Sequence, residues 1–224
     1  MSEKGKGLLA IWSTVASDFE TDYLHWLTRE HVFERVGIPG FRSGCVYRRH
    51  DSVPSEYLIL YELDNASVMS SPEYRARLDD PTPWTQLVMP RLQHFRRGGG
   101  ALVAQFGHPD AIGAHLAVAR LPEDQPKVSL NRLDGVALLD RVTRLRVMSV
   151  ASEATAISTR EKTMRKSAEG TFSGIVAIDA LDSGSLAKGV SMAADIAPGY
   201  NYFETYELVF SFSKSAAVLA DVAI

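Results

Sequence analysis

The chain has 224 residues, 46% hydrophobic and 23% charged, with 24 basic and 27 acidic side chains and a formal net charge of −3. This is the composition of a globular protein with one large domain or two small ones, without the basic excess of a nucleic-acid binder. No run reaches the roughly 18–20 apolar residues of a membrane-spanning helix, and the single cysteine, Cys45, excludes an intramolecular disulfide framework. The short apolar run near the N-terminus lacks an export cleavage pattern, so the expected location is the cytoplasm.

Gly7–Val15 (GLLAIWSTV) favours a β-strand. Ser17 or Asp18 can cap a helix over Phe19–Val36, and Gly37 and Pro39 stop it. Phe41–Arg49 and Tyr57–Leu63 read as strands joined through the turn SVPSE. A second helical stretch over 65–78 is interrupted at Ser71-Pro72, and DDPTPW breaks it. Leu92–Arg97 closes the set. The order β-α-β-β-α-β is the split βαβ arrangement, with both helices on one face of a four-stranded antiparallel sheet.

Gly98–Gly100 reads as a flexible joint, dividing the chain into 1–100 and 101–224. Beyond it, ALVAQFG and AHLAVARL suggest strands around a turn at His108-Pro109. Ser129–Val142 suggests a helix that Gly135 weakens. TRLRVMSVAS and ATAISTRE suggest a strand pair or one bent strand, followed by a strand in FSGIVAIDAL, a short helix in GSLAKGVSMAAD and a last strand over Tyr202–Phe212. Ser158–Gly170 (STREKTMRKSAEG) reads as a solvated loop or hairpin, or else as a flap over a pocket. The second half thus resembles a diverged copy of the first. A sheet covered on one face only must bury the other, and two such sheets can do so together. The expected fold class is α+β: tandem ferredoxin-like split βαβ modules forming a barrel-type pseudo-dimer within one chain. The alternative is an α+β domain without repeat symmetry.

The helix over Phe19–Val36 carries the chemistry. At about 100° per residue from Asp22, Phe33 falls near 20°, Trp26 near 40°, Phe19 near 60°, Tyr23 near 100° and Leu27 near 140°. Glu30, at about 80°, sits in the middle of that apolar face, while His31 lies on its flank at about 180° and His25 opposite at about 300°. A carboxylate placed there must be paired, protonated or turned to a water-filled pocket. A raised pKa would suit it to acid–base work, and a neutral imidazole beside it could move a proton near pH 7. The plainer reading has Glu30 bound to an internal arginine or to backbone N–H groups. Arg29 and Arg35 are expected to be solvated or ion-paired, with Arg35 one turn from His31.

The tryptophan near the end of the first strand, then Trp26, Glu30 and His31 on the helix and the turn Pro39-Gly40-Phe41 running towards RRH, resembles the dimeric α+β barrel superfamily. More narrowly it resembles the EthD-like (ethyl tert-butyl ether degradation) branch. The likeness spans residues 7 to 97, and the second half carries no equivalent Glu-His pair. The resemblance implies a pocket between sheet and helices or within the barrel. It implies catalytic residues Glu30 and His31, with Phe19, Tyr23, Trp26, Tyr47, Tyr61 and Trp84 as walls for a small hydrophobic or aromatic molecule. Members include cofactor-free monooxygenases, haem-binding enzymes, cyclases, lyases, isomerases and proteins with no known reaction. The expectation is an enzyme needing no obligatory cofactor, with oxygenase, lyase or isomerase chemistry and a homodimer as one assembly. The alternative is a non-catalytic ligand-binding or structural protein.

Other patterns point nowhere specific. His25, His31, His50, His94, His108 and His115 include no i,i+4 zinc pair, and His94, His108 and His115 are candidate haem ligands without a motif. FRRGGGALVAQFG lacks the features of a phosphate loop and of a dinucleotide fingerprint. Arg48, Arg49 and His50 form a small basic patch at a strand end, too little for a nucleic-acid partner. Cys45 reads as a buried small apolar residue.

Overall fold

The computed structural model describes residues 5–122, 132–151, 158–165, 170–196 and 202–214. The strands in chain order are β1 (Gly7–Val15), β2 (Phe41–Arg49), β3 (Ser55–Leu63), β4 (Gln93–Gly107), β5 (His115–Leu121), β6 (Val142–Val150), β7 (Gly174–Ala180) and β8 (Phe203–Ser213). They close an antiparallel barrel in the order β1-β3-β2-β8-β5-β7-β6-β4. Read as two halves, this is β4-β1-β3-β2 followed by β8-β5-β7-β6.

The closure works the same way at both seams. The first part of β4 pairs with β1, and its continuation, Gly100–Gly107, pairs with β6. The first part of β8 pairs with β5, and its continuation, Tyr206–Ser213, pairs with β2. Each half's last strand overruns its own sheet and hydrogen-bonds the other half, which leaves no free edge.

Alternation along the strands sorts side chains into layers. Leu8, Ala10 and Trp12 of β1 point inward with Leu58 and Leu60 of β3, Leu116 and Val118 of β5, and Ile175 and Ala177 of β7, filling the barrel. Trp12 donates from Nε1 to the Tyr206 hydroxyl (3.0 Å), which donates to Glu56 (2.8 Å). Further along the interior, Arg144 and Arg146 of β6 surround the buried Asp179 and reach Glu62. The opposite strand faces meet helices. In the first half these are α1 (Glu20–Trp26), a π-helical segment (Leu27–His31), α2 (Val32–Gly37), a 3-10 turn (Ala66–Ser70), α3 (Pro72–Asp79) and α4 (Pro83–Val88). In the second half they are α5 (Asp134–Ala137) and α7 (Ser183–Ile196), over an aliphatic layer built on Leu145, Val147, Val176, Ile178 and Leu186. The short α6 (Arg160–Met164) belongs to the β6–β7 connection.

Several expectations need correction. Gly98–Gly100 is not a joint but the middle of β4. A side chain at these positions would meet Phe172, Met69 and the Ser149 carbonyl, so the glycines serve close approach across a continuous strand. DDPTPW does not simply end a helix: Thr82 caps α4, with Pro83 in its first turn. Residues 160–164 are helical, not part of a strand or hairpin, while 152–157 of the suggested strand lie outside the described residues. The helix expected over Ser129–Val142 is described from residue 132 and reduces to Asp134–Ala137. Among the described residues, no helix is long and apolar enough to cross a membrane.

Candidate functional site

The expected helix over Phe19–Val36 exists, but its winding is uneven. At Leu27–His31 the turn widens to π geometry. The Thr28 hydroxyl donates to the Leu24 carbonyl (2.7 Å) at its start, the kind of side-chain insertion that loosens a helical turn. A π turn accommodates about one extra residue, so every later position moves back by about 100° on the helix face. His31 therefore turns from the flank into the sheet-facing centre and is 3% exposed. Arg35 follows it inward and is equally buried. Phe33, expected on the apolar face, is displaced outward to 38% exposure and packs edge-on against Phe210 and Phe212. Glu30, the expected misfit, moves to the border, half-buried, and accepts a 2.6 Å hydrogen bond from the Thr82 hydroxyl.

Glu30 and His31 are linked through α4. The Thr82 and Thr85 hydroxyls are 3.0 Å apart, and the buried Thr85 accepts from Trp26 Nε1 (3.1 Å). Thr82 has one proton and commits it to Glu30, so Thr85 passes its own to Thr82. The indole of Trp26 then stacks on His31, with ring centroids 4.1 Å apart.

His31 lines a small cavity between the outer face of the β1-β3-β4 sheet and the helices. Ile11, Tyr61, Phe95 and Arg97 form its floor, and Arg35, Met69, Tyr74, Arg75 and Leu78 its sides. Thr159, Glu161, Lys162 and Arg165 cover it, although they belong to the second half of the chain. Its volume is about 30 Å³, roughly that of one water molecule.

Among the described lining residues, His31 Nδ1 and the Tyr61 hydroxyl are buried without a hydrogen-bond partner. Burial, reinforced by the positive charge of Arg35, holds the His31 imidazole well below its ordinary pKa, so the ring is neutral. Burial pushes Tyr61 well above the ordinary phenol range, so it keeps its proton and can donate. Burial works against the charge on Arg35, but Glu161 leads the anionic groups that outweigh it and keep the guanidinium ionised. The Arg35–Glu161 ion pair is direct and buried. Arg35 Nη1 also faces Glu34 at 3.8 Å, without a hydrogen bond. The site thus combines a neutral base, a neutral donor and a fixed cation in a lining of mixed apolar and charged side chains.

The other predicted wall residues are dispersed. Tyr23 is buried and bonded to Ser13 (2.9 Å), stacking obliquely on Trp26 and Tyr57. Phe19 lies under the Arg91 guanidinium. Trp84 packs at the edge of the helix-side core. Tyr47 lies inside the barrel, on the other side of the sheet. Of the expected catalytic and wall residues, only His31 and Tyr61 line the cavity. Sequence reasoning did not single out Arg97 or Glu161, and assigned Arg35 to solvent or an ion pair. Cys45 is buried and its thiol is pushed up to about 11 by that burial, which suits an unreactive core residue. The space does not fit a haem: it is far too small, and His94, His108 and His115 do not line it. No group of three or more metal-binding side chains occurs among the described residues.

No protein-family model matches the chain, and no curated protein matches it. Solved structures do. An anthrone oxidase-like protein superposes with a TM-score of 0.60 at 13% identity, over 99% of this chain and 98% of the other. A candidate monooxygenase from Fusobacterium nucleatum superposes with a TM-score of 0.61 at 10% identity, over 96% of both chains. Chlorite dismutase from Candidatus Nitrospira defluvii, solved with imidazole, gives 0.52 at 7% identity over 93% of both. At these identities the likeness is one of fold. What the chain shares with them is a mixed α+β fold around a closed eight-stranded antiparallel barrel.

Proposed function

We propose that the chain is a small-molecule enzyme in which His31, as a neutral base, removes a proton from a hydrophobic or aromatic compound. The observation that carries this reading is the unpartnered Nδ1 of a buried histidine on the same cavity as the unpartnered hydroxyl of Tyr61. Nδ1 accepts the proton, and Tyr61 donates a hydrogen bond to the oxygen where negative charge develops. The resulting carbanion or phenolate can react with dioxygen, eliminate or be reprotonated, covering cofactor-independent oxygenase, lyase and isomerase chemistry. The names of the anthrone oxidase-like and monooxygenase-type neighbours are in keeping with this. Glu30 acts as a positioning residue, holding Trp26, and through it His31, by way of Thr82 and Thr85.

The broader assignment goes with it: an EthD-like member of the superfamily, two tandem ferredoxin-like modules at 1–100 and 101–224 with β4 running across the division, a cytoplasmic location, and a chain that can pair as a homodimer. The matching seams at β4 and β8 support the tandem reading. The test is turnover of aromatic carbon acids and phenols against pH. His31→Ala should lose at least about a hundredfold in kcat. Unchanged turnover in His31→Ala overturns the assignment. The cavity volume favours one competing reading, a protein that encloses no substrate. Failure of any aromatic compound to bind would select it.

A further inference from the structure

The cavity as it stands admits little more than a water molecule, so any aromatic substrate must displace part of its lining. The floor is a closed barrel sheet, and α1, the π-helical segment and α2 pack on it through Trp26, Leu27, Val32 and Val36. The segment 158–165 is different. It reaches the first half from the β6–β7 connection, and its anchors there are mostly polar. The Arg160 amide donates to Asp79 (3.1 Å), Arg165 lies over Phe95, and Glu161 pairs with Arg35. Met164 adds a partly buried apolar contact.

Moving that segment removes Glu161 from Arg35. The guanidinium keeps its place, because α2 is packed into the core on the sheet through Val32 and Val36. Glu34 offers no hydrogen bond at 3.8 Å and is shared with Arg77 at 3.5 Å. A buried cation stripped of its partner is strongly unfavourable, so a neutral ligand would open the site against a large penalty. A ligand that brings its own carboxylate restores the pair. With the segment displaced, the described lining that remains carries Arg35, Arg75 and Arg97 and no carboxylate.

We propose that Glu161 is a built-in stand-in for the ligand's anionic group: the substrate is an aromatic carboxylate whose carboxylate takes the place of Glu161 on Arg35 and releases segment 158–165. This rests on the cavity being the substrate site, the reading given under Proposed function. The exchange leaves the number of charges at Arg35 unchanged, and Glu161 passes to water.

The test compares benzoate with its neutral isostere benzamide by titration calorimetry on the full chain. Benzoate should bind about tenfold or more tightly than benzamide. Glu161→Gln, checked for folding by circular dichroism, should bind benzoate about tenfold more tightly than wild type, because the internal competitor is gone. Equal affinity for the two compounds, no benzoate binding, or an unchanged or weaker benzoate affinity in Glu161→Gln overturns the proposal. Should that variant not fold, hydrogen exchange on the wild type decides: benzoate, and not benzamide, should speed amide exchange in 158–165, and unchanged or slower exchange overturns the exchange of partners. These measurements read binding alone. Benzoate exchange without turnover of any compound would sink only the catalytic role of His31, and turnover of neutral compounds without anion preference would sink only the exchange of Glu161 for the ligand's carboxylate.

Discussion

The imidazole of His31 lies stacked on the indole of Trp26, with centroids 4.1 Å apart and planes tilted by 30°. An indole face ordinarily favours a cation above it. Here burial and the nearby Arg35 prevail, and the ring is held neutral.

That neutrality has a signature in stability. The folded-state pKa lies well below the ordinary 6.5. Above that ordinary value both folded and unfolded chains carry a neutral His31, and its contribution is complete. As pH falls below it, the unfolded chain binds a proton that the native state refuses, at up to about 1.4 kcal/mol per pH unit until the folded pKa is reached. Between about pH 7.5 and about pH 5.5, the wild type should lose about 1 kcal/mol more stability than His31→Gln in urea unfolding. Parallel pH profiles would show that His31 is protonated in the native state, and with it the proposed base would fail.

The relay from Glu30 to Trp26 gives a second expectation. Glu30→Ala removes the acceptor for Thr82 and should lower kcat about tenfold, through a loosened Trp26 and His31, with KM changed less. Glu30→Gln keeps an acceptor oxygen and should restore most of the rate. Equal losses in both variants would mean that the charge of Glu30, not its hydrogen bond, matters. Thr82→Val also removes the cap of α4 and should cost about 1–2 kcal/mol of stability.

The uneven legibility of this chain has physical causes. β1 and β2 are legible to the residue, because β-branched and aromatic runs bounded by turn residues leave few alternatives. The helix between them is legible in extent but not in phase. Its π segment coincides with one hydroxyl-to-carbonyl bond at Thr28, and a regular 100° step cannot foresee that; the shift moves attention from Glu30 to His31 and Arg35. Glu161 arrives from 126 positions beyond Arg35, a distance over which local pattern carries no information. Gly98–Gly100 misleads for another reason: glycine serves free loops and crowded strands alike, and only the neighbours Phe172, Met69 and Ser149 decide between them.

The barrel interior supports a third prediction. Asp179 is fully buried, 2.8 Å from Arg146 Nη2 and 3.5 Å from Arg144 Nε, and both arginines are inaccessible. Asp179→Asn would leave two buried guanidinium groups with Glu62 as their remaining carboxylate. Removing one partner of a buried ionic cluster typically costs about 3–5 kcal/mol, so the variant should unfold at much lower urea concentration. A loss below about 1 kcal/mol would show that water reaches these groups in the native state.

The last prediction sets two glycines against each other. At Gly100 an added Cβ would stand 1.8 Å from the Ser149 carbonyl oxygen, where β4 passes from β1 to β6 at a seam of the barrel. Neither strand can retreat without breaking the ladder on its other side, so the clash falls on barrel closure itself. Gly100→Ala should therefore cost about 3 kcal/mol or more, the upper end of what overpacking produces. Gly37, the last residue of α2, has nothing within 4 Å of where a Cβ would stand and no left-handed backbone to accommodate. Gly37→Ala should be neutral or stabilising by up to about 1 kcal/mol, since alanine restricts the unfolded chain more than glycine does. Both are single-methyl additions, and chemical unfolding of the pair isolates packing from composition. If Gly100→Ala proved as benign as Gly37→Ala, the β4–β6 seam would not be closed in solution.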